Sequence, residues 1–217
     1  PASLESYVAG DFGAHLRVED HRFRMERFLF RERFGDAQRA AERAGKDYVA
    51  LVKARQAVVN KAANAKALLD AVPKALRADS SFVYSLARFH RRKDEAKDAA
   101  KALAAQPLKP EDLGDGDEWW VERRLIARKL LDVGEMRTAY EVARDHFADT
   151  PTLRIEGEFH AGWIALRFLN DAVLARRHFD TAADIAESPI SNARAAYWLG
   201  RSAEALGEHD LATAHYR

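Results

Sequence analysis

Cysteine is absent from the 217 residues, so neither disulfides nor thiolate-bound metals can hold this fold together, and the redox compartment is left open. Glycine (11) and proline (6) are scarce and sit at breaks in the pattern, as they do in helix-rich chains. No apolar run approaches the length of a membrane span, and no charged-then-apolar signal peptide opens the chain. An excess of one charge is missing as well. Lys plus Arg (35) nearly balances Asp plus Glu (34), so there is no overall basic field to hold a nucleic-acid backbone. No nucleic-acid partner is expected. Pro1 stands where an initiator methionine would, and residues 208–217 give only the opening turns of a final helix. Both features lead to the expectation of a piece of a larger protein.

What is present is a composition of 47% hydrophobic and 32% charged residues, enough to bury a substantial core. Ala, Leu, Arg, Lys and Glu dominate, and no sheet is expected. Basic runs occur at Arg22, Arg24, Arg27, Arg31 and Arg33 and again at His90, Arg91, Arg92 and Lys93. Each lies on an amphipathic stretch with acids alongside and reads as a solvated face.

The strongest positive signal is an internal repeat. Leu169, Leu174, Ala175 and Phe179 align with Leu206, Leu211, Ala212 and Tyr216, and Gly134 and Ala139 fall one period upstream of Asn170 and Ala175. The offset, about 36 to 37 residues, belongs to stacked helical hairpins, none of which can bury its apolar face alone. Upstream, Phe23, Met25, Leu29, Phe30 and Phe34 mark a helix that Gly35 is expected to close, with a short partner over residues 36–44 ended by Gly45. Tyr48, Leu51, Val52, Val58 and Val59 mark the next helix, and residues 65–72 its small-residue partner before Pro73. Ser80 and Ser81 are expected to precede a helix carrying Phe82, Leu86 and Phe89, paired with residues 94–104.

Residues 106–116 form the one long interruption, so the expected organisation is hairpins over residues 1–105, a linker loop, and hairpins over residues 117–217. Asp115 and Glu118 resemble a capping box. Thr150-Pro151 and Ser188-Pro189 each put a capping side chain before a helix-starting proline. Bulky residues on the first helix of each later hairpin (Ile155, Phe159, Trp163, Leu166; Leu199, Leu206) face small ones on the second (Ala175, Ala182, Ala183, Ala212), so the alanines are expected to set the spacing. The expected fold is all-α: a right-handed superhelix of about six antiparallel hairpins, TPR-like, forming a horseshoe or partial ring.

Catalytic signals are sparse. Glu156 with Glu158 and Asp145 with Asp149 are paired acids, but a glycosidase acid needs a desolvating cleft to raise its pKa. None is marked, so they read as surface charges. No two histidines are four residues apart and no HExxH string occurs, so no metal or cofactor is expected. His160, between Phe159 and Trp163, reads as a packed, hydrogen-bonded histidine. Gly114-Asp115-Gly116 reads as a turn, and Asp112, Asp115 and Asp117 as capping acids and not a calcium loop. Trp163 is placed on the buried stripe. Trp119 and Trp120 cannot point the same way on a helix, which leaves one of them to face a ligand or partner.

Three segments carry a family resemblance. The run GEFHAGWIALRFLND over residues 157–171, with ARRHF at 175–179, the run ARAAYWLGRSAEALGEHDLATAHY over 193–216, and GDEWWVERRLIARKLLDVGE over 116–135 resemble the superhelical domain of soluble lytic murein transglycosylases. The likeness covers about the last hundred residues. It implies a periplasmic location, a ring or horseshoe of helical repeats, and a separate lysozyme-like catalytic domain. That domain cleaves peptidoglycan without hydrolysis between N-acetylmuramic acid and N-acetylglucosamine, using one glutamate as acid and then base. The glutamate belongs to a Glu-Ser pair followed by a GLMQ-like string. Glu5-Ser6 and Glu187-Ser188 occur here, and neither has that sequel. The resemblance therefore implies a non-catalytic scaffold whose partners are glycan strands and its own catalytic domain. On that reading arginines attract stem-peptide carboxylates and an exposed tryptophan stacks on sugar, with Trp120, Arg123, Arg124 and Arg128 as the ligand-binding residues. The alternative expectation is a TPR-like adaptor that grips a protein tail. Tyr197, Gly200, Leu206 and Gly207 echo parts of the TPR pattern.

Overall fold

A computed structural model describes residues 7, 10–105 and 109–217; the Glu5-Ser6 pair and residues 106–108 of the expected linker lie outside the described residues. The described chain is all-α, with no strand among the described residues. It runs as six hairpins: α1 (Val18–Phe30) with α2 (Phe34–Ala44), α3 (Lys46–Val59) with α4 (Ala65–Asp70), α5 (Ser80–Arg92) with α6 (Ala96–Ala104), α7 (Gly116–Asp132) with α8 (Met136–Arg144), α9 (Pro151–Phe168) with α10 (Ala172–Ile185), and α11 (Pro189–Ala205) with α12 (His209–His215).

The hairpins share one backbone device. Each turns at a single residue in the left-handed region: Glu32 (φ 53°), Lys61 (54°), Asp94 (60°), Gly134 (80°), Asn170 (53°) and Gly207 (76°). The next residue's N–H then donates back into the preceding helix, Arg33 to the Phe28 carbonyl (2.9 Å), Ala62 to Ala57 (2.9 Å), Glu95 to His90 (3.0 Å), Glu135 to Leu130 (2.8 Å) and Glu208 to Ala203 (2.9 Å). These bonds satisfy carbonyls that a helix end otherwise leaves open. At the fifth hairpin Asp171 reaches Ala165 instead, at 3.0 Å.

Several boundaries differ from those expected. Gly35 lies inside α2, because the bond from Arg33 closes α1 before it and Glu32 takes the left-handed position. Ser80 and Ser81 belong to the first turn of α5, which is capped by Asp79, whose carboxylate accepts from the Ser81 N–H at 2.9 Å. Ser188 caps α11 as expected, accepting from Ser191 N–H at 3.1 Å. The Thr150 side chain does not cap α9; its own N–H and that of Asp149 donate to Asp117 at 3.0 and 2.9 Å. In return Asp149 accepts from Gly116 N–H at 2.8 Å, and Asp115 caps α7 by accepting from Glu118 N–H at 3.1 Å. Asp115 and Asp117 thus bind backbone donors at helix starts.

Packing divides the chain into two units, Pro1–Leu86 and Ala87–Arg217, and the expected linker falls inside the second. In the first, α1 packs on α2 and α3, and α3 on α4, around Met25, Leu29, Leu51, Val52 and Leu69. In the second, α7 to α12 each pack on their sequence neighbours, and α7 also meets α9 and α9 meets α11, so hairpin contacts hairpin in chain order. Ala175, Ala182 and Ala212 are buried at these seams. Glycine contributes closeness too. A Cβ on Gly162 of α9 would stand 2.7 Å from the Phe179 ring of α10, and the Tyr216 ring sits the same way against Gly200 of α11. An aromatic ring from the second helix, or from the residue that caps it, thus lies on a bare stretch of the first and lets the two approach closely.

Candidate functional site

Of the four residues expected to bind ligand, the second unit brings three together and turns the fourth elsewhere. Trp120 and Arg124 on α7 reach Glu156 on α9: the indole N–H donates to Glu156 Oε2 at 3.1 Å and the Arg124 guanidinium donates to Oε1. Arg128, one turn further along α7, donates to Nε2 of His160 at 3.1 Å. The other ring nitrogen of His160 lies 2.8 Å from the Glu156 carbonyl. A carbonyl can only accept, so Nδ1 carries the proton and Nε2 is the acceptor for Arg128. Burial, helped by the charges of Arg128 and Arg124, lowers the His160 pKa and keeps the ring neutral at neutral pH. His160 is the packed, hydrogen-bonded histidine its sequence neighbours indicated.

Neither indole of the tryptophan pair faces solvent, contrary to expectation. Trp119 and Trp120 are both fully buried. Trp119 donates to the Leu113 carbonyl at 3.0 Å, while Trp120 meets the His160 and His146 rings edge-on at 5.2 and 6.0 Å. α7 has neighbours on two sides, α8 and α9, so two faces about 100° apart on one helix are both covered. Trp163 reverses its assignment as well. It is only half-buried, stands edge-on to Phe168 at 5.0 Å, and lines an open cavity of about 560 Å³ with Arg128, Asp132, Phe159, His160 and Phe168. The accessible aromatic beside the arginines is therefore Trp163. Asp132 and Phe168 were not singled out in the sequence; the spacing of Arg128 and Asp132, one helical turn on a polar face, is the signal that could have found Asp132.

A second polar group lies on the opposite flank of α9. Glu158 accepts from His146 Nε2 at 3.3 Å and from His178 Nδ1 at 2.6 Å. Because His146 Nδ1 accepts the Ala148 N–H at 3.0 Å, its Nε2 holds the proton. His178 Nε2 lies 2.9 Å from the Tyr140 hydroxyl. Burial pushes the Glu158 carboxyl up, but the hydrogen bonds of the two histidines outweigh it and bring it down to about 2. Glu156 is net lowered in the same manner, its desolvation overcome by Trp120 and Arg124. Both acids stay ionised at neutral pH, the wrong state for a general acid. Glu122 is buried too and is gripped by both arms of Arg91. These partners come from separate parts of the chain, so sequence spacing gives no sign of them.

Among the described residues, one set of side chains could converge on a cation: His90, Glu95 and Asp98 at the α5–α6 turn place ligand atoms within 4.8 Å of one another. His90 Nδ1 bonds Glu95 at 2.7 Å and Lys101 donates to Asp98 at 3.0 Å, so the group is satisfied by its own pairings.

Arg123 does not join the α7–α9 group. It is 4% exposed and points toward α8, where Nη1 donates to the Val142 carbonyl at 3.4 Å. No family model matches the chain, and no curated protein and no solved structure matches it.

Proposed function

We propose that this chain is the superhelical, TPR-like scaffold of a periplasmic peptidoglycan lytic transglycosylase, and that it holds a glycan strand for a catalytic domain. The observation that carries the reading is the cavity on the α7–α9 side. A half-buried Trp163 offers an apolar ring face for a sugar, Arg128 a cation for a stem-peptide carboxylate, and Asp132 an acceptor for sugar hydroxyls. Behind them Trp120, Arg124 and Glu156 fix the position of His160, so the wall of the cavity is rigid. The resemblance of residues 116–135, 157–179 and 193–216 to the superhelical domain of that family supplies the substrate class, and the hairpins packing in chain order fit a superhelix.

Binding of the purified chain to isolated sacculi tests the proposal. Retention above that of an unrelated helical repeat, reduced at least fivefold in Trp163→Ala with Arg128→Ala, is the expected result. Equal retention by the control protein removes the glycan reading. A protein-binding adaptor is the second reading, favoured by exposed Ile190, Tyr197, Leu211 and Tyr216 on the last hairpin. Pull-down with Tyr197→Ala as comparison separates it from glycan binding.

A further inference from the structure

The buried guanidinium of Arg123 faces a cavity for which no role has been given. The cavity, about 560 Å³, opens between α6, α7 and α8 and is lined by Arg123, Leu103, Glu141, Val142, Asp145 and Phe147 among others. Arg123 lies against the Phe147 ring, 4.9 Å from its centroid, with the Trp119 ring at 5.8 Å. Phe147 itself is held at φ 57°, a conformation that bulky side chains rarely adopt and that costs on the order of 1–3 kcal/mol. A strained aromatic residue is thus kept where its ring forms the wall beside the cation.

The cation is under-served. Its Nε has no hydrogen-bond partner, its Nη1 bond to Val142 is long, and no carboxylate among the described residues lies within ion-pair distance. Asp145 in the lining acts on Arg123 through its charge, but its carboxylate is gripped by Arg144 at 2.9 Å. Burial pushes the Arg123 guanidinium down to about 10, still far enough above neutral pH to leave it charged. A buried charge without a directly paired counter-ion is costly, and a planar carboxylate fits the fork of an arginine by two parallel hydrogen bonds.

The geometry points to this cavity as a carboxylate-binding site in which Arg123 takes the anion. A monovalent carboxylate suits it better than a phosphate dianion, because Glu141 and Asp145 share the lining and would repel the second charge. The site is separate from the Trp163 cavity and stands whether or not glycan binds there.

The test is the Arg123 Nε–Hε resonance of the whole chain, titrated with N-acetylglycine, its uncharged amide, and inorganic phosphate. The expected result is a saturable shift with N-acetylglycine, at least tenfold weaker binding of phosphate, and no response to the amide. Arg123→Lys weakens N-acetylglycine binding at least tenfold and Arg123→Met abolishes it, as read by Trp119 fluorescence or calorimetry. A linear, unsaturated shift, an equal response to the amide, or binding that survives Arg123→Met overturns the site. Phosphate binding as tight as N-acetylglycine overturns the carboxylate assignment. The wild-type titration decides the question even where a variant fails to fold.

Discussion

Arg55 in the first unit and Arg123 in the second are both buried guanidiniums laid over aromatic rings, and their surroundings part them. Arg55 sits 3.9 Å from the Tyr84 ring centre and 5.0 Å from that of Phe30, rings that themselves meet edge-on, and it donates to Ser85, whose hydroxyl donates on to the Ser81 carbonyl. It is a packing element, filling space between α1, α3 and α5 with carbon and delocalised charge. Arg123 has a comparable pair of rings but opens on a cavity. The same residue type serves as filler where neighbours close around it and as a receptor where they do not. Glu158 gives a third case, a half-buried charge whose partners are all in place.

Removing each group measures the difference. Arg55→Ala is expected to cost the most, about 3–5 kcal/mol, because a large side chain is lost from a closed core; a loss of unfolding free energy under about 1 kcal/mol in urea titration would place Arg55 outside the core. Glu158→Gln is expected to cost about 1–3 kcal/mol, since two histidines lose a charged acceptor. Its pH signature is specific. The carboxyl is held at about 2 in the folded chain against 4.5 ordinarily, so its contribution is complete above pH 4.5 and is lost as pH falls toward 2. Melting curves between those values should flatten in the variant, and an unchanged slope would show that the histidines do not hold the carboxylate. Arg123→Met should have the smallest effect, within about 1 kcal/mol of wild type or stabilising, because an uncompensated charge gives way to apolar volume. A loss as large as that of Arg55→Ala would make the two arginines equivalent and erase the contrast.

The hairpin count and most helix positions were legible from periodicity, since Leu169, Ala175 and their partners repeat at fixed offset and Gly134, Asn170 and Gly207 punctuate it. The turn at Glu32 was not, because a glycine three residues on gave a stronger local signal than a glutamate does. At the site, sequence placed Trp120, Arg123, Arg124 and Arg128 on one helix but could not rank their faces. A helix with neighbours on two sides has no single outward direction, which is why Trp120 is buried while Trp163 is accessible. The links from Glu158 to His146, His178 and Tyr140 join residues far apart in the chain and rest on tertiary packing alone.

The left-handed residue that closes every hairpin has a consequence for how such a chain can change. Asp94, Gly134, Asn170 and Gly207 do the same task with three kinds of side chain, so the instruction is carried by backbone geometry and tolerates sequence drift, at a modest penalty wherever glycine is not used. Duplication or loss of one whole unit leaves the bends of the others intact, whereas a single added residue inside a bend rotates everything after it. Length variation among chains of this design should therefore come in units of an entire hairpin or fall in the connections between hairpins.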